Sequence, residues 1–251
     1  MRYNTRSRYV SSANWSFPPG VKWLIVANCA VFLLDFAVSL FSPGLLDRPF
    51  ALVPIQVAHG AIWQLVTYLF LHSLGFPFFH LIFNMLALWM FGQAVEQTWG
   101  TRRFVRYYFV CGIGAGICVV IANLLFGNPR QPTIGASGAI YGVLLAFGML
   151  FPDQTVLMNF LFPIKAKYLV MIYGAIAFFG SFQTQSPVSS LAHLGGMIFG
   201  YAYIRTTFGR RTPGFKLDLD RRWKEYRLQR AKKKFQVYMK KQDSGRGPWV
   251  N

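Results

Sequence analysis

Charge is what this sequence has least of. Only 14% of its 251 residues are charged, where a soluble domain carries about 25%. Acidic residues number eight, against 26 Lys and Arg. That shortage argues against a water-facing surface over most of the chain. Cysteine is also scarce. Cys29, Cys111 and Cys118 all fall in apolar segments, with no CxxC spacing. They read as small buried hydrophobes, which argues against a disulfide framework or a cysteine metal site.

In place of charge the sequence has apolar length. Hydrophobic residues make up 54% and aromatics 18%. Six apolar segments stand out, at about 21–41, 78–97, 104–126, 134–151, 166–184 and 190–207. Each supplies roughly the 17–25 residues that a membrane-crossing helix needs. The expected fold is all-α: a polytopic membrane protein with a six-helix transmembrane bundle. The chain divides into an N-terminal segment, 1–20, a helical core, 21–208, and a basic tail, 209–251. The first twenty residues hold arginines but no adjoining apolar core and no small-x-small cleavage site. A cleaved signal peptide is therefore not expected, and the first helix reads as an uncleaved anchor.

A net charge of +18 suits a nucleic-acid binder, but its distribution does not. Basic residues are nearly absent from Asn28 to Thr101 and from Tyr107 to Tyr203. A nucleic-acid domain spreads them over a folded face. With the N-terminus cytoplasmic, 24 of the 26 Lys and Arg fall inside and only Arg48 and Arg130 outside. That bias sets orientation, so both termini are expected in the cytoplasm. The tail stretch RRWKEYRLQRAKKKFQVYMKK reads as an amphipathic basic helix held by anionic lipid, or equally as a solvated helix. Residues 42–77, between the first two spans, are too apolar for a free loop. Trp63, Tyr68 and several Phe there favour the headgroup level. The segment is expected to be partly helical and to lie in the outer interface, with His59 in it.

Polar groups inside spans are costly, and function is sought among them. Ser137, in Gly135-Ala136-Ser137-Gly138, opens the fourth segment at its outer end. A helix N-terminus there aims free N–H groups at developing negative charge; an N-cap serine between packing glycines has the same string. His193, in AHLGGMIFG, opens the sixth segment at the same depth. Gly196 and Gly200 share its face at i+3 and i+7, a spacing that admits a close backbone. Gly138 and Gly142 offer the same device on the fourth segment. Packing these faces would bring Ser137 and His193 together as nucleophile and base. A histidine bonded to a loop carbonyl is the plainer alternative. His80 and Asn84, at i and i+4 on the second segment, could hold an oxyanion or simply cement helices. Three polar sites on three segments at one outer depth make a constellation more specific than its parts.

The strings HLIFN, GASG with Tyr141 four residues after the serine, and AHLGGMIFG resemble the rhomboid protease signatures HxxxN, GxSG and AHxxGxxxG. The resemblance covers about residues 20–208. It implies an intramembrane serine endopeptidase that cleaves transmembrane segments of membrane-anchored proteins, single-span or polytopic. It implies Ser137 as nucleophile and His193 as general base and acid, with no carboxylate third member. His80 and Asn84 match oxyanion-hole positions, and Tyr141 the aromatic that orients the histidine. No metal and no organic cofactor is expected. Gln64 follows Trp63 where many relatives have Arg, which puts the polar anchoring of the outer loop in doubt. Glu96 and His72 resemble structural positions.

Rival chemistries lack their residues. No histidine is followed by Glu, so the zinc motif HExxH is missing. Only Asp35 lies well inside a span and no GxGD occurs, against an aspartyl enzyme. A transporter would show a half-length inverted repeat. A non-proteolytic relative that binds transmembrane helices remains the alternative, although both members of the dyad are present. A compact plan without a targeting segment fits a bacterial inner membrane.

Overall fold

The computed structural model describes residues 17–75, 78–158, 162–182 and 187–208. The chain divides into two compact units, residues 1–203 and 204–251. The basic tail, and with it the expected amphipathic helix, lies outside the described residues, as do residues 1–16.

Helix α1 spans Pro19–Ser39, with proline in the first turn, where its missing N–H costs nothing. No side chain of its own caps it. Its Gly20 and Val21 amides instead donate to Glu96 Oε1 and Oε2 at 2.8 and 2.7 Å. Glu96 sits near the end of α5, Phe79–Trp99, and also accepts the Thr101 hydroxyl at 2.6 Å. A carboxylate at a helix N-terminus satisfies orphan amides and complements the dipole. A Cβ at residue 20 would come within 2.9 Å of that carboxylate, so glycine lets the two helices meet.

The segment between α1 and α5 is partly helical, as its composition suggests. It forms three short helices, α2 Asp47–Phe50, α3 Pro54–Ala58 and α4 Gln64–Thr67, and a 3₁₀ turn, Tyr68–Phe70. Gln64 is buried and ties the segment together. Its Oε1 accepts the Val53 amide at 3.0 Å and its Nε2 donates to Gln56 Oε1 at 2.6 Å. The polar anchoring that Gln64 put in doubt is thus supplied here by an amide pair. Tyr68 reaches inward and donates to the Gly112 carbonyl at 2.7 Å.

Gly112 belongs to α6, Thr101–Leu125, whose Phe104, Tyr107 and Tyr108 are fully buried. Helix α7 spans Ser137–Leu150, α8 Ala166–Gly180 and α9 Pro187–Phe208. Helix α7 is central, packed on α5, α6 and α8.

Two features differ from the sequence reading. A β-hairpin joins α7 to α8: β1, Thr155–Met158, pairs antiparallel with β2, Phe162–Lys165. The fold is mostly helical rather than all-α. The hairpin falls between two apolar windows, where helical periodicity has nothing to report. The spans also differ in length. Among the described helices, α1 and α6 are long and apolar enough to cross a bilayer. Helices α7 and α8 are apolar but have only 14 and 15 residues. At ~1.5 Å per residue they reach about 21–23 Å, short of a hydrocarbon core of ~30 Å. Helix α7 starts at Ser137 itself because Gly135, at φ +117°, turns the chain just before it.

Candidate active site

The approach to Ser137 is held from the segment between α1 and α5. Leu52 and Thr133 exchange backbone hydrogen bonds at 3.0 and 2.9 Å, and the Gly135 amide donates to the Tyr68 carbonyl at 2.9 Å. Helix α7 then begins, and the Ile140 amide closes the first turn on the Ala136 carbonyl at 3.1 Å. The amides of residues 137–139 precede that bond and are the orphan donors of a helix start.

Glycine decides how α9 meets α7. A Cβ on Gly196 would run into the Gly138 carbonyl, and one on Gly138 would lie 3.2 Å from the Ala192 carbonyl. A Cβ on Gly142 would meet Cys111 of α6 and come 3.1 Å from the Gly196 carbonyl. Gly200 does not join this seam; it faces the Tyr107 hydroxyl and Cys111 of α6. Three of the four expected packing glycines therefore serve the α7–α9 contact, and the fourth seats α9 on α6.

That contact sets His193 Nε2 2.9 Å from Ser137 Oγ, within the reach a nucleophile and its base require. Tyr141, one turn along α7, stacks on the His193 ring, with centroids 3.9 Å apart and planes within 4°. Tyr173 of α8 meets Tyr141 edge to face at 6.0 Å. The imidazole is thus fixed on one side by a ring that is itself buttressed.

His80 lies on the other side of the serine loop. A Cβ on Gly135 would come within 2.9 Å of its Nε2. Its Nδ1 accepts the Ser73 amide at 3.3 Å, and its ring lies 5.1 Å from that of His72. Asn84 is buried and spends one amide hydrogen on its own helix, donating to the His80 carbonyl at 2.7 Å. Ser137, His193, His80, Asn84 and Tyr141 all line one cavity of about 830 Å³. Its apolar wall runs along α5 to Phe91 and along α7 to Leu144, and Leu157 of β1 also lines it.

Two contributors escaped the sequence reading. Tyr173 stands in an ordinary apolar run, and the Ser73 contribution is a backbone amide, which has no sequence signal. Asp35 is buried in α1 and lines no part of this cavity, and His59 is exposed, bonding the Ile55 carbonyl at 2.7 Å. Among the described residues no cluster of three or more metal-ligating side chains occurs.

Comparison with known proteins bears on the same stretch. Residues 59–210 match the rhomboid domain. The chain is 37% identical over 145 residues to the rhomboid protease GluP of Bacillus subtilis, covering 58% of this chain and 26% of that protein. It is 33% identical over 132 residues to rhomboid protein 1, mitochondrial, of Saccharomyces cerevisiae, covering 50% of this chain and 37% of that one. It is 31% identical over 179 residues to the putative rhomboid protease YdcA of Bacillus subtilis, covering 70% and 83%. The chain thus spans well under two thirds of the first two. Because the relatives include mitochondrial proteins, they do not single out a bacterial membrane. With more than half its length inside the matched domain, the chain belongs to the rhomboid family of integral membrane proteins.

Proposed function

We propose that this protein is an intramembrane serine endopeptidase that cleaves transmembrane segments of membrane-anchored proteins, single-span or polytopic. The observation that carries the reading is the 2.9 Å contact of Ser137 Oγ with His193 Nε2, under the stacked Tyr141 ring. His193 takes the serine proton as Oγ attacks the scissile carbonyl, then passes it to the leaving amine. The helix-start amides at residues 137–139, with His80 and Asn84, receive the oxyanion. Water then resolves the acyl-enzyme. The short α7 supports access for that water. It falls about 16 Å short of α6, so its N-terminus can lie recessed below the membrane surface. The substrate helix enters sideways and unwinds, because helical carbonyls are shielded.

Six spans with both termini cytoplasmic are part of the proposal, supported by the 24-to-2 division of Lys and Arg. So is attraction of the basic tail to anionic lipid, argued from charge alone. The test is reconstitution into vesicles with a model single-span substrate. Cleavage is expected from the wild type and lost in both Ser137→Ala and His193→Ala. Cleavage that persists in both variants sinks the proposal.

A further inference from the structure

Among the buried polar groups that the proposed reaction leaves unused, His72 is the foremost. It is 1% exposed, lies outside the helices, and makes one hydrogen bond, from Nδ1 to the Phe70 carbonyl at 3.3 Å. Bonding a carbonyl requires a proton on Nδ1, so Nε2 is a bare acceptor, and it has no partner. Burial and the neighbouring His80 push its pKa down to about 4. His72 therefore stays neutral across physiological pH, and a charge-switch role is out.

What His72 does touch is His80, ring against ring at 5.1 Å. The next residue donates its amide to His80 Nδ1. A neutral imidazole has one donor and one acceptor nitrogen. With Nδ1 accepting from Ser73, the proton of His80 must sit on Nε2, the nitrogen that faces Gly135 on the way into Ser137. We infer that His72 and the Ser73 amide are positioning groups that hold His80 as an Nε2–H donor turned toward the serine loop. This rests on reading Ser137 as the nucleophile.

The test uses the full chain in lipid nanodiscs with ¹⁵N-labelled histidine. The His80 resonances are expected to report Nε2–H at neutral pH, a result that needs no variant and no activity. An Nδ1–H tautomer in the wild type overturns the inference. Replacing the Ser73 amide by an ester removes the N–H donor while leaving every side chain in place. The ester is expected to mix the tautomers and slow fluorophosphonate labelling of Ser137 about tenfold, less than the hundredfold or more for deleting an oxyanion donor. His72→Ala should slow labelling similarly while His72→Phe, which keeps a ring, restores most of it. Unchanged His80 resonances and labelling rates in the ester and in His72→Ala also overturn it. A wild type that shows the expected tautomer but neither labels nor cleaves defeats the nucleophile reading instead.

Discussion

The two ends of α5 both carry buried polar side chains, and they use them differently. At its C-terminal end, Glu96 is well satisfied: both carboxylate oxygens accept, from two α1 amides and the Thr101 hydroxyl. Around its N-terminal end, the groups keep capacity in reserve. Asn84 spends one of its amide hydrogens, His72 Nε2 has no partner, and the Ser137 hydroxyl meets only a base. A satisfied buried network rigidifies a fold, whereas a partly satisfied one is costly and persists where it serves chemistry. The comparison teaches that an intramembrane polar residue is informative through what it has left to bond, more than through being polar.

That contrast can be broken from either side. The largest effect is expected at the N-terminal end. Ser137→Ala or His193→Ala should lower kcat by about a thousandfold or more, with a thermal melt near that of the wild type. A melt that collapses along with activity would recast the pair as a structural clasp. Next comes the seam that creates the pair. Gly196→Val drives a side chain into the Gly138 carbonyl, and overpacking of this kind costs about 3 kcal/mol or more. Unfolding in denaturing detergent should show it, with labelling of Ser137 lost in parallel.

Smaller is the expected effect at the C-terminal end. Glu96→Ala strands two helix-start amides and should destabilise by about 1–3 kcal/mol. The protein that remains folded should keep its KM and kcat, and a fall in kcat at full stability would erase the distinction between the ends. Smallest is a pH effect. The His72 pKa drops from its ordinary 6.5 to about 4 on folding, so the unfolded chain binds more protons between those values. Stability therefore falls as pH drops through that window. Melting at pH 5 and pH 7 should show the difference, and His72→Phe should reduce it. Activity should also fall at acidic pH, because a protonated His193 cannot act as base.

Much of the helical framework was legible in the chain. The six apolar windows correspond to α1, α5, α6, α7, α8 and α9 because burial in an apolar medium needs long uncharged runs. Ser137 and His193 were legible as a pair because small residues at i+3 and i+4 spacings mark close helix contacts. The ends of α7 and α8 were not. A window of apolar residues does not distinguish the irregular approach 134–136 from the helix it enters, and only the Gly135 turn separates them. The β-hairpin went unseen because its strands of four residues carry too little alternation to register. Gln64 looked like a lost anchor, and its partner Gln56 became visible only when α3 and α4 came together.

By itself the sequence determined which segments are apolar, which polar residues interrupt them, and which faces are small enough to touch, since these follow from side-chain size and transfer energy along one chain. Only the tertiary structure decided that Glu96 caps a helix 75 residues away, that Gly200 seats on α6 rather than α7, and that a backbone amide meets the His80 ring. Those outcomes depend on distances between segments and on backbone groups common to every residue, and neither leaves a mark in the order of side chains.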